Sequence, residues 1–228
     1  MEVKYNVLQP FGPRIFKVEL PKDVLQKLIK ITDKLIIDEN RKSAGHTLVG
    51  QIKEEVEISK ELLKENNLYT FFNTYLKAYI EYCLKETQGY NQKIHDIYCD
   101  ITSMWFNEMQ PGGEYNPVHY HSGCSVSSTL YLKIPLERPK RNIKYKEDTD
   151  GIIEFIDRSV SPDLLQRPTG RIQPKEGIMF MWPSSLLHTV YPFLGDEVRR
   201  SIAWNGTYRF VDKRTGVTIL GGTPLPKN

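Results

Sequence analysis

The feature that most constrains this chain is a change of hydrophobic period near residue 98. Before it, apolar residues recur at helical spacing. Residues 21–36 (PKDVLQKLIKITDKLI) set Val24, Leu25, Leu28, Ile31, Leu35 and Ile36 on one side of a 3.6-residue repeat, behind a proline suited to a helix start. Residues 58–86 repeat the pattern, with Leu68, Phe71, Phe72, Tyr75, Leu76, Tyr79, Tyr82 and Cys83 at i, i+3, i+4 and i+7. This predicts a core-facing helix whose tyrosines pack rather than react. From Tyr98 onward the chain turns to short runs rich in β-branched and aromatic residues, at 98–109, 126–135, 151–157, 177–182 and 198–211, parted by Gly and Pro. Helices first and strands after predict an α+β chain, and the spacing of the breaks suits a jelly roll.

A length of 228 residues forces no second core. The expectation is therefore one domain: a mainly helical support region over 1–97, a β module over 98–211, and a loosely held tail over 212–228. The balance of 31 basic against 28 acidic residues is too even to imply a nucleic-acid or membrane surface. Arg138, Lys140, Arg141, Lys144 and Lys146 form a basic cluster, but Glu147, Asp148 and Asp150 follow at once, so it reads as a solvated loop. No apolar run approaches a membrane span, and the first residues lack the apolar core of a secretory signal. Cys83, Cys99 and Cys124 show no close pairing and suit reduced thiols, hence a cytoplasmic protein.

Of the five histidines, two form His119-Tyr120-His121, just after a turn-like Gly112-Gly113-Glu114-Tyr115-Asn116-Pro117. On an extended strand residues i and i+2 share a face, so both imidazoles can converge on one point. Neutral imidazole suits iron, zinc, copper or nickel. An isolated H-x-H is a weak signal; a third histidine in the right setting strengthens it. Gly177 to Trp182 reads as a buried strand, Pro183-Ser184-Ser185 turns it, and His188 follows at what would be the mouth of a barrel. Farther on, Arg199 and Ser201 share one face of a strand while Val198, Arg200, Ile202 and Trp204 share the other. A guanidinium beside a hydroxyl suits a carboxylate. Between Val126 and Ile134, Tyr131 falls on the polar, pocket-lining face with Ser127, Thr129 and Lys133.

These pieces resemble the double-stranded β-helix oxygenases that use Fe(II) and 2-oxoglutarate, in particular a prolyl-hydroxylase-like branch found in bacteria and phages. The resemblance spans roughly residues 98–211 and is carried by NPVHYHSGCSVSSTLYLKIP, GIIEFID, GIMFMWPSSLLHTVYP and RRSIAWN. It implies His119 and His188 as iron ligands, Arg199 with Ser201 as the clamp for the far carboxylate of 2-oxoglutarate, and Tyr131 as a further contact to that cosubstrate. It also implies O2 as the oxidant, succinate and CO2 as products, and hydroxylation of a peptidyl residue, an amino acid or another small metabolite. Trp105, Asn107 and Asn116 would flank the substrate, with Asn205 closing the pocket near the clamp. Trp105 and Trp182 are residues of a kind found more often in cores than as substrate platforms, and Cys124 reads as a small buried side chain rather than a ligand.

The departure from the family pattern is at position 121, where a carboxylate is usual and this chain has His. Three histidines lack that negative charge, which weakens electrostatic attraction for Fe(II) and alters its redox behaviour. His121 is the expected third ligand, with Glu114, Glu154 and Asp157 as carboxylate alternatives. Two other readings stay open. One is a three-histidine dioxygenase that binds its substrate directly to iron without 2-oxoglutarate; the other is a non-enzymatic, cupin-like module binding a metal or ligand.

Overall fold

Alternation along single strands organises this molecule. The computed structural model describes residue 4 and residues 6–8, 12–135, 148–159 and 168–221. The basic cluster at 138–146 lies outside the described residues. Among the described residues, twelve strands, three α-helices and one 3-10 turn (Gly45–Thr47) follow in chain order. The strands are β1 Asn6–Leu8, β2 Ile15–Glu19, β3 Glu54–Glu57, β4 His95–Met109, β5 Asn116–His119, β6 Val126–Lys133, β7 Ile153–Ile156, β8 Thr169–Ile172, β9 Ile178–Pro183, β10 Leu187–Val190, β11 Arg199–Asp212 and β12 Thr218–Gly221. The helices are α1 Lys22–Ile37, α2 Lys60–Glu65 and α3 Leu68–Gln88.

Two antiparallel sheets make the expected double-stranded β-helix. The larger runs β1-β2-β9-β6-β11-β4-β3, with β12 also on β11, and the smaller runs β5-β10-β7-β8. The larger sheet has two chemically distinct faces. Outward, Met104, Phe106, Leu130, Leu132, Met179, Met181, Ile202 and Trp204 join one apolar cluster with Leu28 and Ile31 of α1 and Phe72, Leu76 and Tyr79 of α3. Inward, Tyr131, Phe180 and Trp182 meet Ile153, Phe155 and Val190 of the smaller sheet in a second cluster. The helices are thus a buttress on the outer face, and the close approach of α3 explains Gly206: a Cβ there would stand 2.6 Å from Leu76 Cδ2.

Three features differ from the sequence reading. First, the N-terminal region contains strands as well as helices; β2 pairs with β9 and β3 with β4, so both extend the large sheet. Second, the helix expected over 58–86 is broken. Ser59 caps α2 by accepting from Leu62 N–H at 3.2 Å, and α3 begins only after Asn67, which adopts a left-handed φ of 57°. Asn tolerates that conformation better than any other residue except Gly, so the chain can turn there and restart. Third, β4 carries a bulge. Asn205 of β11 pairs with Ser103 and Gly206 with Ile101, leaving Thr102 as the extra residue, its hydroxyl donating to Asn205 O at 3.1 Å. The extra residue reverses which parity faces the helices. Ile97 and Ile101 pack on the helical side before it, Met104 and Phe106 after it.

Among the described residues no helix is long and apolar enough to cross a membrane, and Cys83, Cys99 and Cys124 are free thiols.

Candidate metal and cosubstrate site

The inward faces of β3, β4, β5, β10 and β11 enclose a cavity of about 620 Å³. Its lining includes His119, His121, His188, Arg199, Ser201, Trp105, Asn107, Asn116 and Asn205, so all but one of the side chains expected to hold metal, cosubstrate or substrate, the carboxylate alternatives aside, line a single space. The exception is Tyr131, on the same face but fully buried beneath it.

His119 is the last residue of β5 and pairs directly across the sheet with His188 of β10. Their rings stand 4.2 Å apart, and His121 lies 5.1 Å from His119 and 5.2 Å from His188, centroid to centroid. One ligand atom from each falls within 4.8 Å of the others, and this three-histidine group contains no carboxylate. His121 reaches the group differently from the i, i+2 strand geometry expected: β5 ends at His119, and His121 is tethered just beyond it, its backbone N–H donating to Ser184 O at 2.9 Å.

The nitrogen that faces the cavity is set by the backbone. His119 Nδ1 lies 2.7 Å from Pro117 O and His188 Nδ1 lies 3.0 Å from Leu186 O. Each Nδ1 must carry its proton to donate to a carbonyl, which leaves Nε2 with a free lone pair. Burial pushes all three imidazoles below the ordinary histidine range. His119 is lowered by desolvation, His121 to about 4 by desolvation and by His119 beside it, and His188 well below by desolvation and the same neighbour. All three are therefore neutral near pH 7, as a ligand requires. Three neutral donors, two of them with tautomers fixed by backbone carbonyls, walled by Trp182 at 5.0 Å from the His188 ring and by Phe155 at 6.2 Å, fit a divalent transition metal.

The three carboxylate alternatives are engaged elsewhere. Glu154 binds Arg171 at 2.8 Å and also accepts from the Tyr191 hydroxyl. Asp157 accepts from the backbone and hydroxyl of Ser159, and Glu114 accepts from the amides of Lys53 and Gln110. Each is engaged by these partners, and none joins the histidine group. The Ser184 hydroxyl donates to Cys124 O at 2.7 Å, and Cys124 likewise lies outside the metal-competent group.

Arg199, at the start of β11, is only 3% exposed; its guanidinium lies 5.1 Å from the Tyr131 ring and its Nη1 is 2.9 Å from Met109 Sδ. Ser201 pairs across the sheet with Tyr131. Guanidinium, hydroxyl and phenol thus gather where a carboxylate could be received, and the Tyr131 hydroxyl is held in its protonated form by burial. Trp105 stacks on His121 at 6.1 Å, serving both core and cavity wall. Asn205 accepts from Ser127 Oγ at 3.0 Å and its side chain supports His121. Sequence reasoning missed Glu55 and the loop at Gly45–Gly50 that also line the space. The available signal was Glu-Val-Glu at 55–57, whose alternation puts both acids on one strand face.

Residues 103–205 match the family described as "Putative 2OG-Fe(II) oxygenase", a span that covers every candidate residue above except Glu55 and its loop. No curated protein sequence matches the chain. Among solved structures, a prolyl-4-hydroxylase from Pseudomonas putida is similar with a TM-score of 0.50 at 18% identity, over 84% of this chain and 91% of that one. The α-ketoglutarate-dependent epimerase SnoN of nogalamycin biosynthesis matches with a TM-score of 0.50 at 14% identity, over 94% of this chain and 91% of its own. The carbocyclase SnoK of the same biosynthesis matches with a TM-score of 0.50 at 12% identity, over 94% and 89%.

Proposed function

We propose that this chain, a member of the 2-oxoglutarate/Fe(II) oxygenase superfamily, holds Fe(II) through His119, His121 and His188, anchors 2-oxoglutarate through Arg199, Ser201 and Tyr131, and hydroxylates a peptidyl residue, an amino acid or another small metabolite. One observation carries the reading: three neutral imidazoles converge in the same cavity that receives a buried arginine and a serine from the neighbouring strand. Iron and 2-oxoglutarate together supply oxidative chemistry, in which O2 puts one oxygen atom into the C–H bond of the substrate and the other into succinate as CO2 is released.

The protein's part is preparation. The carbonyls of Pro117 and Leu186 hold His119 and His188 as Nδ1–H tautomers, so metal binding need displace no proton from their Nε2 atoms. Arg199 keeps its charge at any working pH and offers a planar fork to the far carboxylate of the cosubstrate. Trp105, Phe155 and Trp182 exclude water around the metal position. Asn107, Asn116 and Asn205 present polar groups on the substrate side. The similar structures include a prolyl hydroxylase, an epimerase and a carbocyclase, so this scaffold supports one cosubstrate with several outcomes. Hydroxylation is the simplest of them.

The absence of a carboxylate from the metal group, among the described residues, favours a second reading: a three-histidine dioxygenase that binds its substrate directly to iron and needs no 2-oxoglutarate. Arg199 and Ser201 argue against it. Anaerobic protein mixed with Fe(II) and 2-oxoglutarate should show the visible charge-transfer band of the chelate. The band should be lost in His188→Ala and weakened in Arg199→Ala. Turnover without 2-oxoglutarate would favour the second reading, whereas retained zinc with no thermal shift on adding 2-oxoglutarate would leave only a binding module.

A further inference from the structure

The wall of the cavity built by β3, the adjoining residues of β4 and β5, and the loop at 44–50 has no task in binding metal or cosubstrate, yet it holds a buried acid. Glu55 is 4% exposed and lines the cavity. Its strand pairing sets it opposite Asn107, itself 7% exposed, whose Oδ1 has no hydrogen-bond partner and which also lines the cavity. Asn116 completes the group. A Cβ built on Gly50 would meet Glu55 Oε1 at 2.5 Å and Asn116 Oδ1 at 2.7 Å, and one on Gly45 would meet Glu55 Oε2 at 3.1 Å. The two glycines leave the carboxylate the room it occupies.

Among the described residues no lysine, arginine or histidine forms an ion pair with Glu55, and the charge that acts on it most is that of another acid, Glu114. Arg41 is engaged by Glu54 and Lys60 by Asp100. Burying a carboxylate without a cation costs stability, and a chain retains such a group most readily where a ligand completes it. Three oxygen acceptors on one wall, one of them an acid, call for a donor that brings positive charge.

We infer that this wall is a subsite for a cationic nitrogen group of the primary substrate, a guanidinium or an ammonium, with Glu55 as its counter-charge and Asn107 and Asn116 as neutral acceptors. The assignment rests on the oxygenase reading for its place beside the reacting centre, and it narrows the substrate to one carrying a basic group, either free or as a side chain within a peptide. Glu55 stands outside the residues that match the oxygenase family, so it is a property of this chain's own edge strand.

The test is calorimetric titration of the protein, loaded anaerobically with Fe(II) and 2-oxoglutarate, with paired probes that differ in charge but little in shape. L-arginine is set against L-citrulline, L-lysine against L-norleucine, and N-acetyl-Gly-Arg-Gly-amide against its citrulline counterpart. Wild type should bind the cationic member of at least one pair about tenfold more tightly, a difference of about 1.4 kcal/mol. In Glu55→Gln that ratio should fall to near one. Gly50→Ala, whose methyl intrudes on the same carboxylate, should weaken the cation while sparing 2-oxoglutarate. A preference confined to the peptide pair identifies a side chain as the source, and one shared with free arginine or lysine identifies a small molecule.

Equal affinities within every pair for wild type, or a preference that survives in Glu55→Gln, would overturn the inference. The charge-transfer band, read on the same samples, reports the oxygenase reading separately. A missing band with charge preference intact removes the cosubstrate assignment and keeps the subsite, and the converse removes the subsite alone.

Discussion

Arg199 and Arg200 are adjacent, equally buried at 3% exposure, and face opposite sides of one sheet. Arg200 points to the helices. It pairs with Glu108 of β4, with Asp33 of α1 at 2.6 Å, and donates to Thr32 at 3.1 Å, so its charge ties helix to sheet. Arg199 points into the cavity, over the Tyr131 ring and against a thioether. The same side chain serves cohesion on one face and recognition on the other. The difference extends to the faces themselves. The outer one is mainly apolar against α1 and α3, with its charges paired around Arg200, whereas the inner one is interrupted by histidine, serine and asparagine around a space. Polar groups that would be costly on the first face are retained on the second for what they bind.

The sharpest way to break this contrast is at the metal position. His188→Ala should abolish the Fe(II)/2-oxoglutarate band and all cosubstrate-dependent turnover, while thermal unfolding of the metal-free protein moves little. Next in size is Arg200→Ala, which leaves Glu108 on the helical face of the sheet without its cation. It should destabilise the fold by about 3–5 kcal/mol in urea titration, with 2-oxoglutarate affinity unchanged in the protein that remains folded. Arg199→Ala should do the reverse, weakening 2-oxoglutarate by about 2–4 kcal/mol in calorimetry with a smaller loss of stability. If both arginine variants lose stability and affinity alike, the two faces are not separable.

Glu55 sharpens the comparison through pH. Burial and the charge of Glu114 push its carboxyl from the usual 4.5 up to about 7. A folded-state pKa above the unfolded one means the protonated form is favoured by folding. Its contribution is fully present below pH 4.5 and is lost as pH rises through 7. Glu55→Gln should therefore match wild type near pH 4.5 and exceed it at pH 8 by on the order of 2 kcal/mol, read as a Tm difference that opens across that window. Glu57 and His46 line the same cavity, and Glu114 is the charge that acts on Glu55. A flat Tm difference between the two pH values would show that Glu55 is already compensated.

The β module was legible because its strands bury one face in helices and line a cavity with the other, which writes a period of two into β6, β9 and β11. The Arg199/Ser201 pair was legible for the same reason, since its spacing translates directly into a shared face. What was not legible depends on tertiary pairing. β3 reads as Glu-Glu-Val-Glu, a charged stretch with one apolar residue, and becomes a strand only because β4 offers it an edge. β5, β8 and β10 are four residues each, too short for periodicity to register. The restart of the helix at Asn67 rests on one backbone conformation. His121 lies beyond its strand and is positioned by a bond to the β9–β10 turn, a contact 63 residues distant in sequence that spacing alone does not reveal.

The extra residue at Thr102 gives β4 something like a reading frame. Upstream of it odd-numbered side chains belong to the helical side, and downstream they belong to the cavity, so Trp105 and Asn107 owe their address to one inserted residue. Flattening the bulge with every residue retained would slip the frame and send Met104 and Phe106 toward the histidines in their place, whereas deleting Thr102 would restore plain alternation and leave both faces as they are. A bulge that touches neither metal ligand nor clamp thereby sets the substrate side of the cavity. Among related chains, a shift of the bulge along this strand offers a short route to new specificity on an unaltered catalytic centre.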